Sequence, residues 1–297
     1  MSPPRVFDRS LLRQRRRRAH RLGAETFLID RVAEDLADRL ASVLRRFDLA
    51  ADLGTPTEAV RRALVSRVGT VVTVDAFADR RTAGGQLNIV ADEEALPFAE
   101  ASLDLVVSGL ALQSVNDLPG SLVQIRRALK PDGLFLAALL GGDTLTELRQ
   151  SFAEAESEIE GGVSPRVAPF ADVRDMGALL QRTGFALPVT DSERLTVRYA
   201  TPFALMHDLR RMGATSVLVE RRRAPLKRAT LARMVEIYAA RFSDADGKVR
   251  ATFEIIWLSG WAPHDSQQQP LEPGSAKMRL ADALGTREMS AGEKPEK

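Results

Sequence analysis

The sequence predicts an α/β fold, a three-layer sandwich around a mostly parallel sheet. Residues 103–149 carry that prediction in miniature, because LDLVVSGLALQSVNDLPGSLVQIRRALKPDGLFLAALLGGDTLTELR holds a strand, a crossover helix and a second strand with their punctuation. Residues 103–108 are a short run rich in Val and Leu closed by Gly109, which suits a strand buried on both faces. Asp117 and Pro119 open a helix in which Leu122, Ile125, Arg126 and Leu129 keep helical spacing, and Lys130-Pro131-Asp132-Gly133 stops it. Residues 134–140 form the next buried strand. A unit of this kind is right-handed, and ligands of such sheets gather at the carboxyl ends of the strands.

Composition narrows the function classes. The 297 residues can hold one large or two small domains, and 44% hydrophobic residues can fill a core. With no cysteine, disulfides, thiolate metal sites, iron–sulfur ligation and a cysteine nucleophile are excluded. The 42 basic residues nearly balance the 40 acidic ones, so a nucleic-acid partner is not expected. Only six of the basic residues are lysine, an arginine bias that a GC-rich genome explains as well as function does. No apolar run approaches the roughly 20 residues of a membrane span, and no signal-peptide core follows the start. The expectation is a cytoplasmic protein, peripheral at most to a membrane.

In chain order, residues 5–21 (RVFDRSLLRQRRRRAHR) form a basic helix, read either as an arm that docks on an acidic partner or as a solvated face. Leu28, Val32, Leu36, Leu40, Val43, Leu44 and Phe47 make residues 27–47 an amphipathic helix. Residues 49–53 are the first strand, 70–74 the second and 87–90 a short third. Asp75 closes the second strand 23 residues after Asp52, where a carboxylate can accept ribose hydroxyls or simply cap a helix. Residues 144–159 and 175–182 are helices, and 186–199 a strand pair at the sheet edge. A helix from Thr201-Pro202 carries Met206 and Met212, taken as core filler. Arg221-Arg222-Arg223 is read as solvated surface, 230–242 as a helix and 250–261 as the last strand. Residues 263–297 are a flexible tail without a core of their own. His20, His207 and His264 show no ligand spacing, so no metal site is expected.

The pattern DLVVSxLALxxVNDLPxxLxxIRRALKPDGxFxxAxLGGDTLxELR resembles the class I S-adenosylmethionine-dependent methyltransferases. Within them it is similar to the alphaproteobacterial and mitochondrial assembly factors of complex I (NADH:ubiquinone oxidoreductase), whose animal member acts as an arginine hydroxylase on a complex I subunit. Gly141 to Leu145 followed by Glu147-Leu148-Arg149 is the specific part. The opening FDRxLLRxRRxRA and the stretch ExEGGxSPxxxPFxxxxDMGxLLxRxGF belong to the same branch, so the resemblance spans roughly residues 5–280.

The resemblance implies a Rossmann-like class I methyltransferase sandwich with an antiparallel final strand. Residues 1–23 would be a basic arm near the mouth of the site, 24–262 the domain with helical insertions at 144–183 and 201–247, and 263–297 the tail. It implies S-adenosylmethionine as cofactor, with Asp52, Gly54, Asp75, Asp92, Leu96 and Ser108 as binding residues. Asp92 would accept from the adenine amine, Leu96 and Phe98 would pack beside the base, and residues 108–113 would pass over the reaction centre. Glycine at 54 lets the backbone approach the ligand, whereas Pro56 and Glu58 stand where the family has glycines, and either could plug the hollow. No catalytic base is fixed, since Gln113 cannot serve as one.

Three functions are compatible with these residues. The first is modification of a protein client, an arginine on a quinone-module subunit of complex I. The second is a cofactor-free assembly scaffold on a degenerate methyltransferase fold. The third is a small-molecule carboxyl methyltransferase of the biotin-pathway type.

Overall fold

The computed structural model describes residues 5–76, 87–268, 275 and 278–287. Contacts divide the chain into Met1–Pro263 and His264–Lys297, and each unit is taken by itself. The first contains, in order, α1 (Arg9–Arg21), α2 (Phe27–Ala41), β1 (Phe47–Leu53), α3 (Ala59–Leu64), β2 (Val68–Asp75), β3 (Leu87–Val90), β4 (Leu103–Gly109), α4 (Leu118–Ala128), β5 (Leu129–Leu140), α5 (Thr146–Glu160), α6 (Val173–Arg182), β6 (Ala186–Tyr199), α7 (Pro202–Arg211), α8 (Arg228–Phe242) and β7 (Val249–Trp261). Parts of the expected arm, residues 1–4, and of the expected tail, residues 269–274, 276–277 and 288–297, lie outside the described residues. The second unit includes a five-residue helix, Leu280–Leu284.

The strands form one sheet in the order β3-β2-β1-β4-β5-β7-β6. β1 to β5 are mutually parallel, and β7 is antiparallel to both of its neighbours. The apolar runs seen in the sequence are the buried halves of the strands, and the last eight residues of β5 are buried without interruption. One face of the sheet is covered by a core drawn from α2, α3, α5, α7 and α8, the other by a core drawn from α4 and α6. Leu122 and Ile125 of α4 are fully buried, and each such side chain contributes roughly 1.5–3 kcal/mol. Asp117 caps α4 by accepting from the Gly120 N–H at 2.8 Å, a bond of about 1 kcal/mol.

Four sequence expectations need correction. Leu129 and Lys130-Pro131-Asp132-Gly133, read as the end of a helix and its stop, belong to β5, because α4 ends at Ala128 and the strand starts at once, with a register shift before Leu134. The amphipathic helix ends at Ala41, not Phe47. Leu44 is fully exposed and Phe47 already belongs to β1, because the last apolar residues of the pattern serve the strand that follows. The edge pair expected at 186–199 is one 14-residue strand. Pro188 did not break it because an edge strand tolerates a missing donor, and the register slips between Ala186 and Val189 to accommodate it. The run Arg221 to Arg223 is not simply solvated: Arg221 pairs with Asp8 at 3.5 Å and Arg222 with the nearly buried Glu160.

Candidate functional site

β1 and β4 are neighbours whose chain connections leave in opposite directions, which makes the crevice beyond their carboxyl ends the place where such sheets bind ligands. Asp52 pairs in register with Thr73 on one side and Val107 on the other. Its fully buried carboxylate accepts from the Thr55 hydroxyl. The Gly109 N–H donates to Thr55 Oγ1 at 3.0 Å, and Ser108 Oγ donates to the Leu53 carbonyl at 2.8 Å. Gly54 adopts φ +65° and donates its N–H to the Val74 carbonyl at 2.7 Å. Asp52, Gly54 and Ser108 are thus brought together, and Asp75 is buried at the end of the adjoining β2. Leu96 packs partly buried on the α4 side, its N–H donating to Gln124 Oε1 at 3.0 Å.

The plug in this crevice is neither residue that the sequence nominated. Glu58 is exposed and turns to Arg61 at 3.6 Å, while Pro56 stands in a cavity wall beside the crevice. The residue against Gly54 is Glu93, 2% exposed, whose carboxylate would collide with a Cβ at position 54. Arg9 of α1 holds it there. The Arg9 guanidinium donates to Glu93, to Asp92 Oδ1 at 2.8 Å and to the Ser114 carbonyl at 3.1 Å. Burial would lower the pKa of Arg9, but Glu93 and Asp92 beside it raise it above its ordinary value, so the guanidinium stays charged. Arg16 of the same helix donates to the Gly54 carbonyl at 3.1 Å.

The donor set around Gly54 therefore does not fit S-adenosylmethionine in this conformation. The space that the glycine leaves open is filled by a carboxylate, and Asp92 is engaged by Arg9 and, at 3.6 Å, by Arg13. Among the described residues no group of three or more His, Asp or Glu could hold a metal ion.

Beside the crevice lies a cavity of about 270 Å³, adjoined by a second of about 110 Å³. Arg16, Pro56, Leu110, Gln113, Leu140 and Met212 line both. Met206 also lines the larger one, so the two methionines taken as core filler pack against the core as expected and also face a cavity. The larger wall is mostly apolar, with Arg16, Arg166 and Arg210 and no acidic side chain among its lining residues.

The specific motifs of the sequence build this wall. Gly141 lies against Glu254 of β7 so closely that a Cβ would meet its carboxylate at 2.5 Å. Glu254 Oε2 accepts from the Asp143 N–H at 2.9 Å, and Thr144 Oγ1 accepts from the Glu254 N–H at 3.1 Å. That turn, locked onto β7, delivers Leu145 and Leu148 to the cavity. Glu156, fully buried, accepts from the N–H and hydroxyl of Ser164, each at 2.7 Å, and from Arg166 Nε at 2.8 Å. These bonds set the loop that supplies Arg166, Val167 and Phe170 to the same wall. Sequence reasoning missed Arg9, Glu93 and Glu156, and only the Phe7-Asp8-Arg9 and Asp92-Glu93-Glu94 patterns hinted at the first two.

Comparisons with known proteins agree with this architecture. A family described as "Methyltransferase domain" matches residues 51–137, from β1 into β5. The chain is 40% identical over 300 residues to the rat mitochondrial arginine-hydroxylase NDUFAF5, covering 97% of this chain and 87% of that protein. The chain belongs to the class I methyltransferase superfamily, on the NDUFAF5 branch. The human NDUFAF5 is 39% identical over 291 residues, covering 93% of this chain and 83% of that protein. The malonyl-[acyl-carrier protein] O-methyltransferase of Halorhodospira halophila is 34% identical over 257 residues, covering 83% and 85%. In fold the chain matches a crystal structure from Bacillus halodurans described as a methyltransferase, with a TM-score of 0.54 at 16% identity, covering 77% of this chain and 98% of that one. Its Rossmann-like sheet sets five parallel strands beside an antiparallel β7. No helix among the described residues is long and apolar enough to cross a membrane.

Proposed function

We propose that this protein acts in the assembly of respiratory complex I, where it binds a quinone-module subunit and modifies an arginine of it. One observation carries the reading: the residues that mark the branch are spent on the wall of the cavity. Leu145, Leu148 and Phe170 are fixed positions of those motifs, Arg166 and Val167 stand at open positions between Pro165 and Pro169, and their turns are fixed by Glu254 and the buried Glu156. The extent of identity to the arginine-hydroxylase NDUFAF5 proteins supports the same client class. In this reading residues 1–23 are the arm that meets an acidic face of the client, 24–262 the modifying domain and 263–297 an accessory tail. The cofactor of the reading is S-adenosylmethionine, placed at Asp52, Gly54, Ser108 and Asp75. Deletion of the gene tests it. The expected result is a loss of NADH:ubiquinone oxidoreductase activity in membranes, restored by the intact gene; undiminished activity sinks the proposal.

A second reading is favoured by the charge of the cavity. Three arginines and no acidic residue on the larger wall suit a carboxylate better than a guanidinium, and the malonyl-[acyl-carrier protein] O-methyltransferase of Halorhodospira halophila is a relative over most of its length. Biotin dependence of the deletion strain with intact NADH oxidation would move the assignment there.

A further inference from the structure

The helix that closes the crevice is anchored by a small apolar cluster, in which Phe7, Leu11 and Leu12 pack with Val217 and Leu218, and by polar contacts. At its start the Val6 and Phe7 N–H groups donate to Asn116 Oδ1 at 2.9 and 2.8 Å, and the Asp8 N–H donates to the Val217 carbonyl at 2.8 Å. The buried residues of α1 are only Leu12 and Ala19. Its charged residues do the closing: Arg9 fixes Glu93 against Gly54, and Arg16 bonds the Gly54 carbonyl. A buried carboxylate stripped of its cation is expensive, so Glu93 cannot stay against Gly54 once Arg9 leaves. The two move together.

We propose that α1 is an internal plug of the cofactor crevice. S-adenosylmethionine enters only when Arg9 releases Glu93 and the Glu93 carboxylate leaves Gly54, so docking of the arm and binding of the cofactor exclude one another. The inference rests on the cofactor named in the proposed function. By linkage, whatever binds the arm only when it is undocked raises the affinity for the cofactor by the same factor. An acidic segment of a client is suited to that, because Arg13 spends its charge on Asp92 while docked and Arg18 and Arg21 are exposed on the same helix.

The test is calorimetry with S-adenosylhomocysteine on the full chain. A ligand that needs a state populated to a fraction f binds weaker by that factor. Opening the crevice with Glu93→Ala is therefore expected to tighten binding about tenfold or more over wild type. Arg9→Gln, which removes the latch and keeps Glu93, is the second variant and should tighten binding in the same direction. On wild type, saturating ligand should speed hydrogen exchange at the amides of residues 9–21. Equal binding by wild type and both variants, or slowed exchange in α1, overturns the plug and leaves the cofactor reading standing. Absence of binding by all three folded proteins at millimolar ligand overturns both.

Discussion

Arg166 donates its Nε–H to the carboxylate of Glu156 at 2.8 Å, and that carboxylate is fully buried. Ten residues separate the two, and the loop between them turns back along α5. Burial alone would push the Glu156 carboxyl up, but the Ser164 N–H and hydroxyl and the Arg166 guanidinium outweigh it and hold it below the ordinary value. Removing one side of a buried pair strands the other, which typically costs about 3–5 kcal/mol. Glu156→Ala is therefore expected to lose about 3 kcal/mol or more in urea unfolding. A loss under about 1 kcal/mol would mean that Arg166 finds solvent and that the loop does not depend on Glu156.

The same group fixes the sign of the acid response. A carboxyl held low in the folded chain contributes stability that is complete above its unfolded value and is lost as pH falls through the folded one. Glu160 behaves alike, lowered to about 2 by the Thr230 hydroxyl first, against burial, with Arg222 and Lys227 adding to it. Stability should therefore decline from about pH 4.5 downward. Midpoints in urea that rise between neutral and acid pH would contradict this.

Both tyrosines report at the opposite end. Burial raises the Tyr199 phenol above its ordinary value, with Asp208 and Glu25 adding to it. Burial likewise raises Tyr238, helped by Glu147, and its neutral hydroxyl donates to the Arg250 carbonyl at 2.8 Å. An acid with a raised folded pKa contributes stability present below its unfolded value of about 10 and lost above it. Since the chain has two Tyr, the phenolate absorbance is expected only as the protein unfolds. Phenolate appearing near pH 10 with unchanged circular dichroism would place a ring in water.

Gly54 and Glu93 should be energetically coupled. At φ +65° an alanine is strained, and its Cβ would also strike the Glu93 carboxylate. Gly54→Ala is expected to destabilise by about 1 kcal/mol from the backbone alone, plus the clash. Glu93→Ala removes the second part only, so the double variant should be more stable than the sum of the single changes. Simple additivity in a urea cycle would mean that Glu93 does not stand where the structure puts it.

The sheet was legible because its strands are apolar runs and its helices carry their own punctuation, as at Asp117. Ambiguity arose where one pattern served two elements: Phe47 continues a helical spacing and yet starts β1. The crevice could be placed from Asp52 and Gly54, since a glycine at a strand end is a local signal. What fills it could not. Arg9 and Glu93 lie 84 residues apart, and neither spacing nor periodicity relates them. Glu58 looked like the obstruction because it is near Gly54 in sequence, but as the residue before α3 it points to Arg61. In the same way Glu156 and Glu254 look like ordinary acids until the turns that they hold are seen.

The most direct measurement is peptide mass spectrometry of the quinone-module subunits of complex I, purified from the source organism with and without this gene. The account predicts an arginine that carries added mass in the wild type and none in the deletion strain, with the mass restored by the intact gene. Arginine masses identical in the two strains would contradict it.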